Sequence, residues 1–314
     1  MKYFRPNGFK SRSKSRSNSK TTSNNEHCLH KIIKNKANVD ITTISSTENI
    51  NKLKKQKVLV LSLIKDCSKS ITHIINVIND LKLYFLQVDF YYVSNNNSDN
   101  CSDILQEYSK INDHFHGITY QRQKISIDDR IILLSKYRDL SFSLAIQHYG
   151  KDYDYVIVFD SDLIMNIDVL PLINSLSIKQ SWSCISGNYC YFQSKYYYDQ
   201  LALRFIDEPI DITSTHPNFK THYGHSINWL KNLYIFKSWQ SVDSCFGGIS
   251  IYHMDELLDI FTQQKTLYSV NKLPPYTCEH TALCLKLSNL KLINPDIYYY
   301  NNNRDIQDKN IKII

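Results

Sequence analysis

The stretch Tyr155-Val156-Ile157-Val158-Phe159-Asp160-Ser161-Asp162 decides the fold. Five apolar residues, three of them β-branched, have the composition of a strand buried on both faces, as in a sheet covered by helices. The run stops at once in two carboxylates one residue apart. Asp-x-Asp recurs in surface turns, and a strand may simply end in polar residues. Directly behind a buried run, the pair stands at the carboxyl end of a strand, where α/β sheets keep their ligands. Hard oxygen ligands suit Mn²⁺ or Mg²⁺. A divalent ion there neutralises the charge that grows on a diphosphate leaving group.

Upstream of this run, strand and helix signals alternate, the pattern of an α/β sheet. Lys57 to Ile64 is a continuous apolar, β-branched first strand. Ile71, Ile74, Ile75, Ile78 and Leu81 have helical spacing within Ser70–Leu83. Val88–Val93 is a second strand, running into the turn-forming loop Ser94-Asn95-Asn96-Asn97-Ser98-Asp99-Asn100. A short helix, Ser102–Tyr108, and a weaker strand, Gly117–Gln123, follow. A long helix spans Asp128–Tyr149; Asp128 and Asp129 suit its positive N-terminal end, and Gly150 stops it. Three βα units thus place the acidic triplet near the middle of a nucleotide-binding sheet.

Downstream the pattern is less regular. A helix over Val169–Leu176 leads to a strand over Trp182–Ser186 and a Tyr-rich segment through Arg204. Residues 207–237, with Pro209, Pro217 and Gly224, form an irregular excursion. Cys245 to Tyr252 is a turn running into a strand, Asp255–Phe261 a helix, and Cys278-Glu279-His280 precedes a helix over Thr281–Leu287. No internal repeat is present.

Charge is unevenly spread over the 314 residues. The first 57 residues carry 14 of the 37 basic residues and three of the 30 acids, so the remainder is mildly acidic and the net charge of +7 belongs to the tail. An acidic body argues against a nucleic-acid-binding domain. Residues 1–55 are expected to be a disordered Lys/Arg/Ser/Asn-rich tail, 56–300 a single domain and 301–314 a C-terminal extension. The tail is either a solvated segment or a weak contact for nucleic acid or an anionic surface. No run approaches the ~18–20 apolar residues of a membrane span, and Val58–Ile64 lies behind too long a polar tail for a signal peptide. These features predict a cytoplasmic protein. The eight cysteines, without Cys-x-x-Cys pairs, are expected to be reduced core thiols.

One competing chemistry shares the triplet. Phosphatases of the haloacid-dehalogenase type place Asp-x-Asp behind an apolar strand, with the first Asp as nucleophile. Their motif opens the domain and carries Thr or Val where Ile164 stands, and they need a later acidic pair. No Asp-Asp pair follows Asp162.

Five blocks occur in a fixed order. They are Tyr92 to Asn100; Arg130-Ile131 with Leu133-Leu134 and Tyr137-Arg138-Asp139; Asp160-Ser161-Asp162; Tyr197-Tyr198-Asp199 with Ala202-Leu203-Arg204; and Val242 to Gly248, containing Cys245-Phe246-Gly247-Gly248. Through them, from about residue 57 to 290, the chain resembles GT-A-fold glycosyltransferases. The likeness is closest to the fungal capsule-associated (cryptococcal) α-1,3-mannosyltransferase family and to uncharacterised relatives in large DNA viruses. Ser94 departs from that family's acid and Asp139 from its Asn.

The resemblance implies a Rossmann-like mixed sheet flanked by helices. It also implies transfer of a hexose from a nucleotide sugar, GDP-mannose or a UDP-sugar, to a glycan or glycoprotein hydroxyl. Asp162 would be the main metal ligand, Asp160 would contact the ribose or the metal through water, and His280 would close the shell, unless His280 is a buried helix-start histidine. Asn95 and Asp99 would lie near the nucleotide. Arg130 and Arg138, eight residues apart on one helix face, would reach the diphosphate or pair with acids. Gly247 and Gly248 either admit close approach of the donor or make a tight turn. Asp243 and Glu279 are the candidates for activating an acceptor hydroxyl or stabilising the sugar cation. The alternative class is a catalytically degenerate domain of this fold that binds without turning over.

Overall fold

The computed structural model of the chain describes residues 37, 39, 47–120, 130–162, 168–188, 202–206, 236–270 and 278–297. Ile164, the Tyr-rich segment 189–201, the excursion 207–235 and the extension 301–314 lie outside the described residues, as do Asp128 and Asp129. Two parts of the expected tail lie within them. Ala37 donates its N–H to Trp239 O at 2.9 Å, and Thr47–Leu53 is a helix, α1.

Strands β1 (Lys57–Ile64), β2 (Gln87–Asn95) and β3 (Phe115–Tyr120) alternate with helices α2 (Ile71–Lys82) and α3 (Cys101–Lys110). Helix α4 (Arg130–Tyr149) then leads to β4 (Tyr155–Asp160). Beyond it come α5 (Val169–Ser175), β5 (Trp182–Ser186), β6 (Arg204–Phe205), β7 (Gln240–Ser244), β8 (Ile249–His253), α6 (Met254–Gln264), α7 (Glu279–Cys284) and β9 (Leu290–Ile293). The strands form one sheet, in the order β3-β2-β1-β4-β8-β5-β9-β7-β6. The expected α/β class is therefore observed, and the sheet is mixed: β1 to β4 are parallel, and β8 runs antiparallel to both β4 and β5.

The sheet is covered on both faces, which explains why β1 is apolar at nearly every position. Val58 and Val60 point into one core cluster, with Ile71, Ile74 and Ile78 of α2 and Leu105 of α3. Leu59 and Leu61 point into the other, with Tyr137, Phe142 and Ala145 of α4 and Leu257 of α6. This is the two-residue alternation of a strand with both faces buried. Each fully buried Val or Leu contributes about 1.5–3 kcal/mol.

The placement of the helices fixes the binding crevice. The β1–α2–β2 crossover covers one face and moves outward from β1; the β3–α4–β4 crossover covers the other face and returns to the far side of β1. The order in which strands are added reverses between β1 and β4, which remain parallel. At such a switch point the loops leaving the carboxyl ends of the two strands diverge and leave a crevice.

The edge strand β3 is shifted two residues towards the N-terminus from its expected start, because Phe115 anchors it in the core at 1% exposure. Gly117 pairs with Tyr92, and a β-carbon there would collide with the Tyr92 ring and its backbone oxygen. The backbone oxygen cannot move without breaking the ladder. Gly117→Ala is expected to destabilise the protein by about 1–3 kcal/mol, measured as a lower urea midpoint. An unchanged midpoint would mean that the edge strand shifts freely.

Candidate functional site

Asp160 ends β4, between β1 on one side and β8 on the other. Its N–H donates to Gly248 O at 2.9 Å. Gly247 and Gly248 adopt φ of 56° and 80°, a left-handed turn that L side chains rarely enter. The pair thus makes the tight turn that delivers β8 to β4 and pins the strand end. Ser161 is clamped on the other side: its hydroxyl donates to Leu63 O at 2.7 Å, and its carbonyl accepts from the Ser70 hydroxyl. Ser62 Oγ donates to Phe159 O at 2.9 Å. None of these three serines was expected from the sequence as part of the site. Hydroxyl-to-carbonyl bonds leave no motif, although the position of Ser70 just ahead of α2 is a hint.

Behind the motif lies a buried cation. Arg138 is 6% exposed. Its Nη2 donates to Asp160 Oδ1 at 2.9 Å and its Nε to Glu279 Oε1 at 3.1 Å. The guanidinium carbon is 5.2 Å from the centre of the Phe246 ring and 6.0 Å from that of Tyr268. Burial opposes the charge, but Asp160 and Glu279 outweigh it and hold the guanidinium more firmly protonated than in water. Arg130, on the first turn of α4, is exposed. The two arginines share a helix but differ in depth. Arg138 is held by two carboxylates, the ion-paired alternative, and Arg130 faces solvent.

Asp162, the second acid of the motif, is exposed on its own surface although protein atoms crowd it. Desolvation first, and the Asp160 charge second, push its carboxyl up to about 6; Arg130 and Arg138 pull it back only in part. Asp160 is neutralised by Arg138, and Asp162 is left uncompensated.

His280 is 4% exposed and stacked on Phe246 with ring centres 3.5 Å apart. Its Nε2 is 3.7 Å from Glu279 Oε1, too far for a hydrogen bond. Neither ring nitrogen has a hydrogen-bond partner among the described residues. Burial, with Arg138 adding to it, keeps the imidazole neutral well below its ordinary range.

The remaining candidates divide. Glu279, at the start of α7, joins the network through Arg138. Asp243 lies half-buried on β7, separated from β8 by β5 and β9. Asn95 ends β2 with its side-chain oxygen buried and unpartnered among the described residues. Asp99 accepts from Ser68 N–H at 2.9 Å and Cys101 N–H at 3.1 Å. Burial pushes its carboxyl up, but these bonds prevail and hold it below its ordinary value. Asp139, the residue that departs from the family's Asn, accepts the N–H groups of Leu267 at 2.6 Å and Tyr268 at 2.9 Å. It fastens the Tyr268 segment over Arg138. Among the described residues no three His, Cys, Asp or Glu side chains converge as a metal cage.

No protein-family model matches the chain, and no curated protein matches it. Solved structures with partial likeness include the mannosyltransferase PcManGT from Pyrobaculum calidifontis in complex with GDP-Man and Mn²⁺. It is 10% identical, with a TM-score of 0.47, over 88% of this chain and 65% of that one. Residues 1–349 of S. aureus TarS in complex with UDP-GlcNAc are 12% identical, with a TM-score of 0.45, over 79% of this chain and 60% of that one. Glucosyl-3-phosphoglycerate synthase from M. tuberculosis is 14% identical, with a TM-score of 0.41, over 82% and 78%. The chain spans less than two thirds of the length of the first two.

Two predictions follow from the charge layout. Arg138→Met leaves Asp160 and Glu279 facing each other without their cation. It should cost about 3–5 kcal/mol at neutral pH, and Glu279→Gln in the same chain should recover part of that; equal urea midpoints for the single and double variants would contradict the network. The second concerns Asp162, whose carboxyl is raised in the folded state. Its contribution to stability is full below about pH 4 and is lost as pH rises through about 6. Asp162→Asn should therefore match the parent near pH 4 and exceed it above pH 6, by at most ~1 kcal/mol after solvent screening. Melting temperatures across that window check this; a difference that does not change with pH would contradict it.

Proposed function

We propose that this protein is a metal-dependent glycosyltransferase of the GT-A type, moving a hexose from a nucleotide-sugar donor to a hydroxyl of a glycan or glycoprotein. The observation that carries the reading is the pair Asp160 and Asp162 at the carboxyl end of β4, at the switch point of the sheet, with one acid neutralised and the other not. Support comes from the five sequence blocks, and GDP-mannose heads the donors to test on the resemblance to mannosyltransferases.

The donor chemistry of the two motif acids suits a divalent ion, although no complete cage is formed among the described residues. Asp162 offers a destabilised, solvent-facing carboxylate, and His280 offers ring nitrogens without partners. Oxygen and imidazole donors together suit Mn²⁺ or Mg²⁺. Asp162 would hold the ion with Asp160 assisting; His280, the third ligand that the resemblance implies, does not converge with them in this structure and would have to draw closer to complete the set. When bound, the ion supplies neutralisation of the donor diphosphate.

The chain's own groups do the rest. Arg138 fixes the rotamer of Asp160, so that its second oxygen is presented to the crevice. Exposed Arg130 adds positive charge beside Asp162, on the side from which a diphosphate would approach. Glu279, held at one oxygen by Arg138, is the better placed of the two candidate bases, because Asp243 stands on a strand remote from β4. Asn95 offers an unpartnered acceptor at the end of β2 to a donor N–H or hydroxyl. Asp99, engaged by two backbone N–H groups, shapes the loop beside it.

Among the described residues no helix is long and apolar enough to cross a membrane. A second reading, a domain that binds nucleotide without turnover, takes its support from the ion pair that already occupies Asp160. One assay separates the two. The protein is incubated with a panel of GDP- and UDP-sugars, with and without Mn²⁺, and donor binding and hydrolysis are followed. Metal-dependent hydrolysis that falls by about 10²–10³-fold in Asp162→Ala is expected. Binding without hydrolysis would favour the binding domain; neither, together with a silent Asp162→Ala, would overturn the reading.

A further inference from the structure

The loop leaving β1 and the loop leaving β2 are stitched together beside the acidic motif. Asp66 N–H donates to Asn97 Oδ1 at 2.9 Å, Ser98 N–H to Asp66 Oδ1 at 2.5 Å, and Ser68 N–H to Asp99 Oδ2 at 2.9 Å. Asp66 and Asn96 hold φ of 50° and 46°, a left-handed conformation that costs energy outside glycine and persists only where neighbours enforce it. Inside this stitch the sulfurs of Cys67 and Cys101 lie 3.3 Å apart. Both side chains are buried; Cys67 lies between the bonded Asp66 and Ser68, and the Cys101 N–H donates to Asp99 Oδ1 at 3.1 Å. The scaffold therefore holds the two cysteine backbones at a spacing that lets the sulfurs meet.

The two thiols are not equivalent. The contact with Cys101, helped by Ser161 and Ser70, lowers Cys67 below its ordinary value against the opposing effect of burial. The same contact is the main influence raising Cys101. Cys67 also lies one layer beneath the surface, between exposed Lys65 and Lys69. By contrast Cys184, Cys245 and Cys284 are fully enclosed in the core cluster on the opposite face of the sheet.

We propose that Cys67 and Cys101 form an oxidisable dithiol, a modification site at which a hydroperoxide converts the pair into a disulfide joining the β1–α2 loop to the first turn of α3. The Cys67 sulfur, as thiolate, attacks the terminal peroxide oxygen; the O–O bond breaks, and hydrogen peroxide yields Cys67 sulfenic acid and hydroxide, which takes the thiol proton as water. The Cys101 sulfur then attacks the Cys67 sulfur, the S–O bond breaks, and hydroxide leaves with the Cys101 proton as a second water. Two thiols lose two electrons and the peroxide gains them. A disulfide bond of about 2.05 Å requires the sulfurs to close by little more than ~1 Å. Because Ser70 on the same loop bonds Ser161, the cross-link is mechanically continuous with the Asp160-Ser161-Asp162 strand end.

The test uses the full chain and does not depend on the donor chemistry. Protein treated with hydrogen peroxide is alkylated under denaturing conditions and mapped without reductant. The expected result is a peptide linking Cys67 to Cys101, with loss of two alkylatable thiols, restored by dithiothreitol. In Cys101→Ala the link should vanish and Cys67 should instead be trapped by dimedone as the sulfenic acid. All thiols surviving treatment, or a link between any other pair, would overturn the proposal. The mapping of the unmodified chain decides this even if the variant fails to fold.

Discussion

A guanidinium taken out of water is expensive, and the site is organised around making that cost tolerable. Desolvating an ion in a protein interior costs several kcal/mol, offset only when good hydrogen bonds replace the lost water. Arg138 obtains them from two carboxylates that arrive from distant parts of the chain, Asp160 on β4 and Glu279 on α7. The consequence is architectural. Helix α7 must sit with its first turn against α4, and the end of β4 must point back towards the same helix. The Tyr268 segment, tied to Asp139 by two N–H bonds, closes over the cation. The Phe246 ring lies 5.2 Å from the guanidinium carbon and is stacked on the His280 ring.

This constraint also explains what could be read from the sequence and what could not. The start and end of β1 are legible because it is a nearly continuous apolar run with no competing signal, and β5 lies where it was expected, over Trp182–Ser186. Helix α2 is legible from its apolar spacing. Strands β6, β7 and β9 are not, because β6 is two residues long and β7 and β9 are held by partners far away in sequence. The antiparallel placement of β8 beside β4 depends on a four-residue segment, 245–248, that passes across the ends of β9 and β5. No local periodicity encodes that path, although the positive φ of Gly247 and Gly248 shows why glycines occupy it.

At the site, residue identities were more legible than roles. Asp160, Asp162, Glu279 and Arg138 are all identifiable from the sequence, but the angular period of a helix says nothing of depth along it. Eight residues place Arg130 and Arg138 on the same side of α4 but about 12 Å apart along its axis. That distance carries the helix from the exposed rim into a segment where Tyr137, Arg138, Ser141 and Phe142 are all buried. Depth depends on what the rest of the chain stacks around the helix. Asp99 illustrates the same limit: a carboxylate in a turn-rich loop can face a ligand or cap its own backbone, and the bonds from Ser68 and Cys101 take the second course.

The asymmetry between the two motif acids then has a physical origin. Two carboxylates one residue apart repel, and a single cation behind the strand can reach only one of them. Arg138 takes Asp160 from the protein side, where Asp162 has turned past the strand end. Asp162 is left with like charge beside it and partial desolvation, which Arg130 and Arg138 offset only in part. A site in this state gains most from a cation arriving on the solvent side, because the protein side is already filled. The buried arginine therefore does more than hold the fold: by satisfying one acid of the pair, it leaves the other as the place where added positive charge is most favourable.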